Sequence, residues 1–236
     1  MLLRLGGLLL AALVLLSDGA FADENSVKRA VEARLDGIKV DKVTRTQYLG
    51  LYEVLIGDQI VYTDERVNYI FNGAIIETST HRNITEERLQ KLSTIKFDQL
   101  PLELAIKRVR GNGKRVVAVF SDPFCPFCRR LDQSLVQMDG VTVYTFLYPI
   151  LRENESPQMA TRIWCSPDRA KAYYEFMLEN KQPPAASNCS APVQRWIALG
   201  QKLGVRATPV SFVPSGQRIV GARFAELQKL LDENAK

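Results

Sequence analysis

Arg115-Val116-Val117-Ala118-Val119-Phe120-Ser121-Asp122-Pro123-Phe124-Cys125-Pro126-Phe127-Cys128-Arg129-Arg130 is the stretch on which the reading of this chain turns. Val116 to Phe120 is apolar and rich in β-branched residues, the composition of a buried strand. Past the cysteines, Leu131, Leu135 and Met138 recur at helical spacing. Cys125 therefore falls at the start of a helix, with Cys128 one turn on. Backbone N–H groups and the positive end of the helix dipole favour a thiolate there. Pro126 suits the first turn, where a missing N–H costs nothing. Cysteines so placed are suited to electron exchange.

Residues 1–22 read as a secretory signal. Arg4 gives a positive start, Leu8 to Leu16 is unbroken apolar sequence, and Ala20-Phe21-Ala22 precedes the acidic Asp23-Glu24. The run is too short to span a bilayer as a mature helix, so cleavage near Ala22 should release an exported, soluble chain. Its remaining length of about 214 residues fits one large or two small domains. The net charge of +5 is scattered, with no basic stripe interleaved with aromatics, so nucleic acid is not expected as a partner. Four cysteines in an exported protein can pair in three ways. Cys125 and Cys128 are close enough to pair with each other, which leaves Cys165 with Cys189. That link would close a loop worth about 3–4 kcal/mol on the loop-entropy model. One pair then has a reactive role and the other a structural one.

The region before the cysteines divides into a small domain and a spacer. Val27 to Leu35 should be a short helix ended by Gly37. Strand candidates follow at 40–48, 51–56, 59–63 and 67–71. Asn72-Gly73 signals a hairpin returning through 74–78. This antiparallel meander, residues 23–82, is marginal alone and would gain from pairing with a second copy through an edge at 60–63 or 67–71. His81 is the only histidine, which argues against a metal site and against a Cys–His protease. No cofactor is expected. Asn83-Ile84-Thr85-Glu86 has capping-box spacing, so residues 83–100 are read as a stiff linker helix. Pro101 is expected to open a further helix with Leu102, Ala105, Ile106 and Val109 inside. From 115 on, strands at 115–121, 141–148 and 210–213 alternate with helices at 156–165, 168–178 and 193–203. A last helix is expected at 224–231.

Strand, C-x-x-C, helix and then Thr208-Pro209 at the head of an apolar strand together resemble the thioredoxin superfamily. Val119-Phe120-Ser121-Asp122, Ile163-Trp164-Cys165, Cys189 and Gly204-Val205-x-x-Thr208-Pro209 narrow the resemblance to the DsbC/DsbG family of periplasmic thiol:disulfide interchange proteins. It covers nearly all of the chain after the signal. The resemblance implies an α+β, antiparallel, cystatin-like N-terminal dimerisation domain (23–82) and a linker helix (83–100). These would lead to an α/β thioredoxin-fold domain with a helical insertion (101–236). It implies a periplasmic location and a homodimer formed through the N-terminal domain. Misfolded disulfide-containing exported proteins would be the substrates, and the membrane thiol reductase DsbD the electron donor. It also supports Cys165–Cys189 as the structural bridge and Thr208 with a cis-Pro209 as the surface receiving substrate backbone.

On this reading Cys125, exposed at the helix N-terminus, attacks a substrate disulfide and Cys128 resolves the mixed disulfide. The dipeptide between them, Pro126-Phe127, departs from the Gly-Tyr of DsbC towards the Pro-Tyr of DsbG. Residues there tune the redox potential. Two alternatives remain open in sequence. One is a DsbG-like reductase of sulfenylated single cysteines. The other is a dimeric periplasmic chaperone with an idle C-x-x-C.

Overall fold

Strands, several of them buried along nearly their whole length, alternate with helices buried on one face. A computed structural model describes residues 23–57, 59–185 and 189–235, so the expected signal lies outside the described residues. Two compact units meet in sequence between Gly73 and Ala74.

In the first unit, helix α1 (Glu24–Arg34) precedes strands β1 (Lys42–Arg45), β2 (Tyr52–Ile56), β3 (Gln59–Thr63) and β4 (Ile70–Phe71). The strands form one antiparallel sheet in that order. Val27 and Val31, one turn apart on α1, close a core made with Val40, Val43, Tyr52, Val54, Val61 and Val67. The eight residues of this cluster make a small core for a free-standing unit. Asp64 shapes the loop before β4, its carboxylate accepting the N–H groups of Asn68 at 2.7 Å and Tyr69 at 3.0 Å. This Asx-type turn aligns β4 with β3.

The Asn72-Gly73 hairpin does not form. β4 pairs with β3, whereas β5 (Ile76–Glu77) pairs with β6 (Arg82–Asn83) in a separate ribbon. Ile70, Phe71 and Ile76 are all exposed. With no buried face to fix a register, the turn signal alone does not join the two strands.

The second unit begins with that ribbon and helix α2 (Ile84–Ser93), whose N-cap Asn83 accepts the Glu86 N–H at 3.0 Å. The helix stops at Ser93, short of the expected residue 100. Beyond it, the Ile95 N–H donates to the Gly216 carbonyl at 3.0 Å. Gly216 has φ +81°, and a Cβ there would lie 2.0 Å from the Ile95 carbonyl oxygen, so only glycine fits. The expected helix from Pro101 is replaced by a 3₁₀ turn (Leu102–Leu104) and strand β7 (Ile106–Arg110). Ile106 is buried and Val109 exposed, so the helical inner face never existed. The segment pairs with β9 (Val141–Leu147) from Ile106↔Thr145 to Arg110↔Val141, a non-local contact that overrode the local spacing.

Around β7 the sheet runs β11-β10-β8-β9-β7. Here β8 is Arg115–Ser121, β10 is Val210–Phe212 and β11 is Arg218–Val220. β8 and β9 are parallel, joined by helix α3 (Pro126–Leu135), and the other pairings are antiparallel. Val117 and Val119 face one core with Leu131, Leu135, Leu227 and Leu231. Ala118 and Phe120 face the other, where Phe120 stacks on Phe146 at 4.9 Å. Burial on both faces explains why β8 reads as a continuous apolar run. Helices α4 (Glu155–Trp164), α5 (Arg169–Glu179) and α6 (Val193–Lys202) are inserted between β9 and β10, and α7 (Phe224–Asn234) closes the chain. No helix among the described residues is long and apolar enough to cross a membrane.

Candidate active site

The end of β8 is fixed by Asp122, which is fully buried. Its Oδ1 accepts the Phe124 N–H at 2.8 Å and the Ser156 hydroxyl at 3.0 Å. Its Oδ2 accepts the N–H groups of Ile150 at 2.7 Å and Leu151 at 2.9 Å. One carboxylate thus ties the cysteine loop to the loop after β9 and the start of α4. An amide at this position offers one oxygen where the carboxylate offers two. Asp122→Asn is therefore expected to lower unfolding free energy by about 2 kcal/mol, measurable as a reduced urea midpoint.

Cys125 is the N-cap of α3, with Pro126 opening the helix. Its Sγ accepts the Cys128 N–H at 3.3 Å and its thiol donates to the Thr208 carbonyl at 3.2 Å. The Thr208–Pro209 peptide is cis. The second expected pair of residues is therefore brought against Cys125 from a position 83 residues on. The exposure expected for Cys125 is not found: it is 2% exposed, because Thr208 and the apolar cluster around Phe124 cover it. Pro126 and Phe127 are the solvent-facing members of the tetrapeptide, Phe127 at 53% exposure with the Arg130 guanidinium 5.6 Å from its ring centre. The Arg152 guanidinium sits 4.3 Å from the Phe124 ring centre. Exposed Ile150 and Leu151 share the Asp122 carboxylate with the Phe124 N–H and so lie on the loop that meets the cysteine loop.

The two thiols are pushed apart. The hydrogen bond with the Cys128 thiol draws the Cys125 thiol down from 9.0 to about 6, with the Thr208 side chain and the N–H groups of Cys128 and Phe127 adding to the effect against the penalty of burial. Cys128 moves strongly upward, chiefly by burial and then by the neighbouring Cys125 sulfur. One cysteine is ionised at neutral pH and its partner holds its proton. That division suits an attacking and a resolving sulfur.

Cys165 and Cys189 lie elsewhere, bonded to each other at 2.04 Å. They join the end of α4 to the segment before α6, beside the edge-to-face pair Trp164–Trp196 at 5.2 Å. His81 is exposed, in the turn between β5 and β6. No group of metal-ligating side chains is found among the described residues.

Residue-by-residue reading of the sequence did not single out the polar cluster beneath the cysteines. Asp132 of α3 is 2% exposed, and Tyr173 of α5 donates to its Oδ2 at 2.8 Å. The Tyr173 hydroxyl also meets the Ser121 hydroxyl at 2.7 Å. Burial raises the Asp132 carboxyl from 3.8 to about 7, opposed by the Tyr173 hydrogen bond and by Arg108. A signal was available: Asp132 stands four residues after Cys128, between Leu131 and Leu135 on a helix face that is otherwise apolar and buried.

Residues 102–235 match the family model of a thioredoxin-like domain. Residues 18–86 match that of the disulfide bond isomerase protein N-terminal domain. A probable thiol:disulfide interchange protein DsbC of Bordetella parapertussis is 48% identical over 84% of this chain and 70% of its own length. The thiol:disulfide interchange protein DsbC of Escherichia coli K12 is 25% identical over 99% of this chain and 98% of its own. A disulfide interchange protein from Neisseria gonorrhoeae, solved by crystallography, superposes with a TM-score of 0.55. It is 41% identical and covers 58% of this chain and 99% of that one.

Proposed function

Because this chain belongs to the DsbC family of thiol:disulfide interchange proteins, we propose that it rearranges non-native disulfides in exported proteins, using Cys125 as nucleophile and Cys128 as resolving thiol. The observation that carries this reading is the placement of Cys125 as N-cap of α3, its Sγ taking the Cys128 N–H at 3.3 Å and lying 3.2 Å from the carbonyl of Thr208 at the cis Thr208–Pro209 peptide. The Cys125 thiolate attacks a substrate disulfide. One S–S bond breaks, a mixed disulfide forms, and a substrate thiolate leaves. If a substrate thiol then displaces Cys125, the substrate has been isomerised. If Cys128 displaces the substrate, the substrate has been reduced and the pair oxidised by two electrons.

The Thr208-Pro209 backbone beside Cys125 would receive an extended substrate segment in the manner of strand addition. Phe124, Phe127, Ile150 and Leu151 would take up the apolar side chains that misfolded proteins expose. Cys165–Cys189 would serve as a structural link. We assign the N-terminal unit to homodimerisation. There β4 is an edge strand, and Tyr69, Ile70 and Phe71 are 69%, 38% and 50% exposed, a combination that proteins avoid leaving uncovered. Function in the periplasm after signal removal, and a membrane thiol reductase of the DsbD kind to keep the pair reduced, complete the proposal.

The test is reactivation of a scrambled multi-disulfide protein in glutathione buffer. Recovery of native activity well above the uncatalysed rate is expected. Suppressed aggregation without reshuffling would make the protein a chaperone instead.

A further inference from the structure

Tyr148, the residue directly after β9, brings a hydroxyl into the core beneath the site. It is 3% exposed and packs edge-to-face on Phe120 at 5.9 Å. A phenylalanine would fill the same space without taking a hydroxyl out of water, so the hydroxyl needs a partner that matters. It donates to the Val205 carbonyl at 2.8 Å. At its other end, the Tyr148 N–H donates to the Ser121 carbonyl at 2.8 Å. Ser121 ends β8, just before the cysteine loop, and Val205 stands just before Thr208-Pro209. One residue therefore ties the strand that carries the cysteines to the loop that carries the cis proline.

The ring has no room to slide. Gly200 of α6 lies against it, and a Cβ there would stand 2.6 Å from Tyr148 Cζ. One turn earlier, Trp196 fixes α6 from full burial, its indole N–H donating to the Leu104 carbonyl at 2.8 Å. The Val205 N–H donates back to the Gly200 carbonyl at 2.8 Å, so both backbone polar groups of Val205 are held. Arg218 Nη2 holds the Gly204 carbonyl at 3.0 Å, and the Gly221 N–H holds the Pro209 carbonyl at 2.8 Å. Of these anchors, Tyr148 is the one bonded to the end of β8. Between Val205 and Thr208, Arg206 and Ala207 are exposed, so the position of Thr208 follows from where the two ends of the loop are pinned.

We propose that Tyr148 is a positioning residue for disulfide exchange: its hydroxyl holds the loop so that the Thr208-Pro209 backbone presents an extended substrate in register with Cys125 Sγ. The inference rests on the attacking role of Cys125 and on Thr208-Pro209 as the edge that receives substrate. Strand addition fixes a segment by backbone hydrogen bonds at set spacing. A sulfur delivered in this way must arrive in line with a thiol that is only 2% exposed, so a small displacement of the loop costs alignment. A reagent with no peptide backbone has no register to lose. Tyr148 touches neither substrate nor sulfur, and acts through Val205.

The test compares two chromogenic disulfides with a common leaving group. One is an extended peptide whose single cysteine is bonded to nitrothiobenzoate, and the other is free cysteine bonded to the same group. In both, the Cys125 thiolate attacks the cysteine sulfur, the S–S bond breaks and coloured nitrothiobenzoate leaves as the thiolate. Wild-type protein is expected to saturate with the peptide and to react with it faster than with the cysteine derivative. Tyr148→Phe should raise the half-saturating peptide concentration about fivefold, the size of one hydrogen bond. The limiting rate and the rate with the cysteine derivative should stay as they are, and the latter also shows that the site of the variant is intact. Equal slowing with both substrates, or a loss confined to the limiting rate, would make the hydroxyl a general support of the fold and overturn the proposal. No change with either substrate overturns it too. A wild type that does not distinguish the peptide from the cysteine derivative overturns the docking edge, and the proposal with it. Release at the wild-type rate by Cys125→Ser overturns the nucleophile itself.

Discussion

Serine in place of Cys125 is expected to abolish disulfide exchange, while in the wild type a small alkylating reagent at pH 7 modifies Cys125 and spares Cys128. Peptide mass mapping after brief iodoacetamide treatment checks the second half, and refolding of a scrambled substrate checks the first. The alkylation rate should rise about tenfold per pH unit below pH 6 and level off above it, because the Cys125 thiol is drawn down to about 6. A rate still climbing through pH 8 would show an ordinary thiol and sink the assignment. Unchanged refolding by Cys125→Ser would do the same for the nucleophile.

The size of that shift also says which half of the reaction gains. Falling from 9.0 to about 6 raises the thiolate fraction at pH 7 about 90-fold, but lower basicity weakens the sulfur as a nucleophile by about 20-fold. Attack at neutral pH therefore improves only a few-fold. Departure improves more, since a low-pKa thiolate is the better leaving group. A Cys125 that leaves easily lets a substrate thiol complete isomerisation before the substrate is trapped. The geometry that stabilises the thiolate, an N-cap position with N–H groups converging on Sγ, thus favours turnover of the mixed disulfide over its accumulation.

The parts of this arrangement that were legible in sequence are the ones set by neighbours along the chain. Val116 to Phe120 is apolar because β8 is buried on both faces, and a strand of that kind leading into Cys125-Pro126 points directly to a helix opening at the cysteines. Thr208-Pro209 was legible only through the family resemblance, since nothing local ties it to a cysteine 83 residues earlier. The failures are all non-local. Ile106 and Val109 have spacing compatible with a helix, and only the partner strand β9 decides otherwise. Asn72-Gly73 can make a hairpin, but Asp64 had already organised the loop that pairs β4 with β3. The burial of Cys125 depends on Thr208, and the environment of Asp132 on Tyr173, 41 residues away. A polar residue on an apolar helix face was visible. What it faced was not.

That same aspartate gives the second large prediction, in stability rather than rate. Asp132 is buried, and its folded value of about 7 lies above the ordinary 3.8. A group raised in this way favours the folded state while protonated. Its contribution is complete below about pH 4 and is lost as pH rises towards 7. At about 1.36 kcal/mol per unit, the loss comes to about 4 kcal/mol. Cys125, lowered from 9.0, acts in the opposite sense between pH 6 and 9, so a bare stability profile of the reduced protein mixes the two. Comparison with Asp132→Asn separates them, because the Cys125 shift comes chiefly from its hydrogen bonds with Cys128 and Thr208, which both proteins keep. The difference in unfolding free energy should move by about 4 kcal/mol between pH 4 and pH 8, in favour of the asparagine variant at the higher pH. Urea titrations of both proteins at several pH values measure it, and a difference that stays flat would mean the carboxyl is not desolvated.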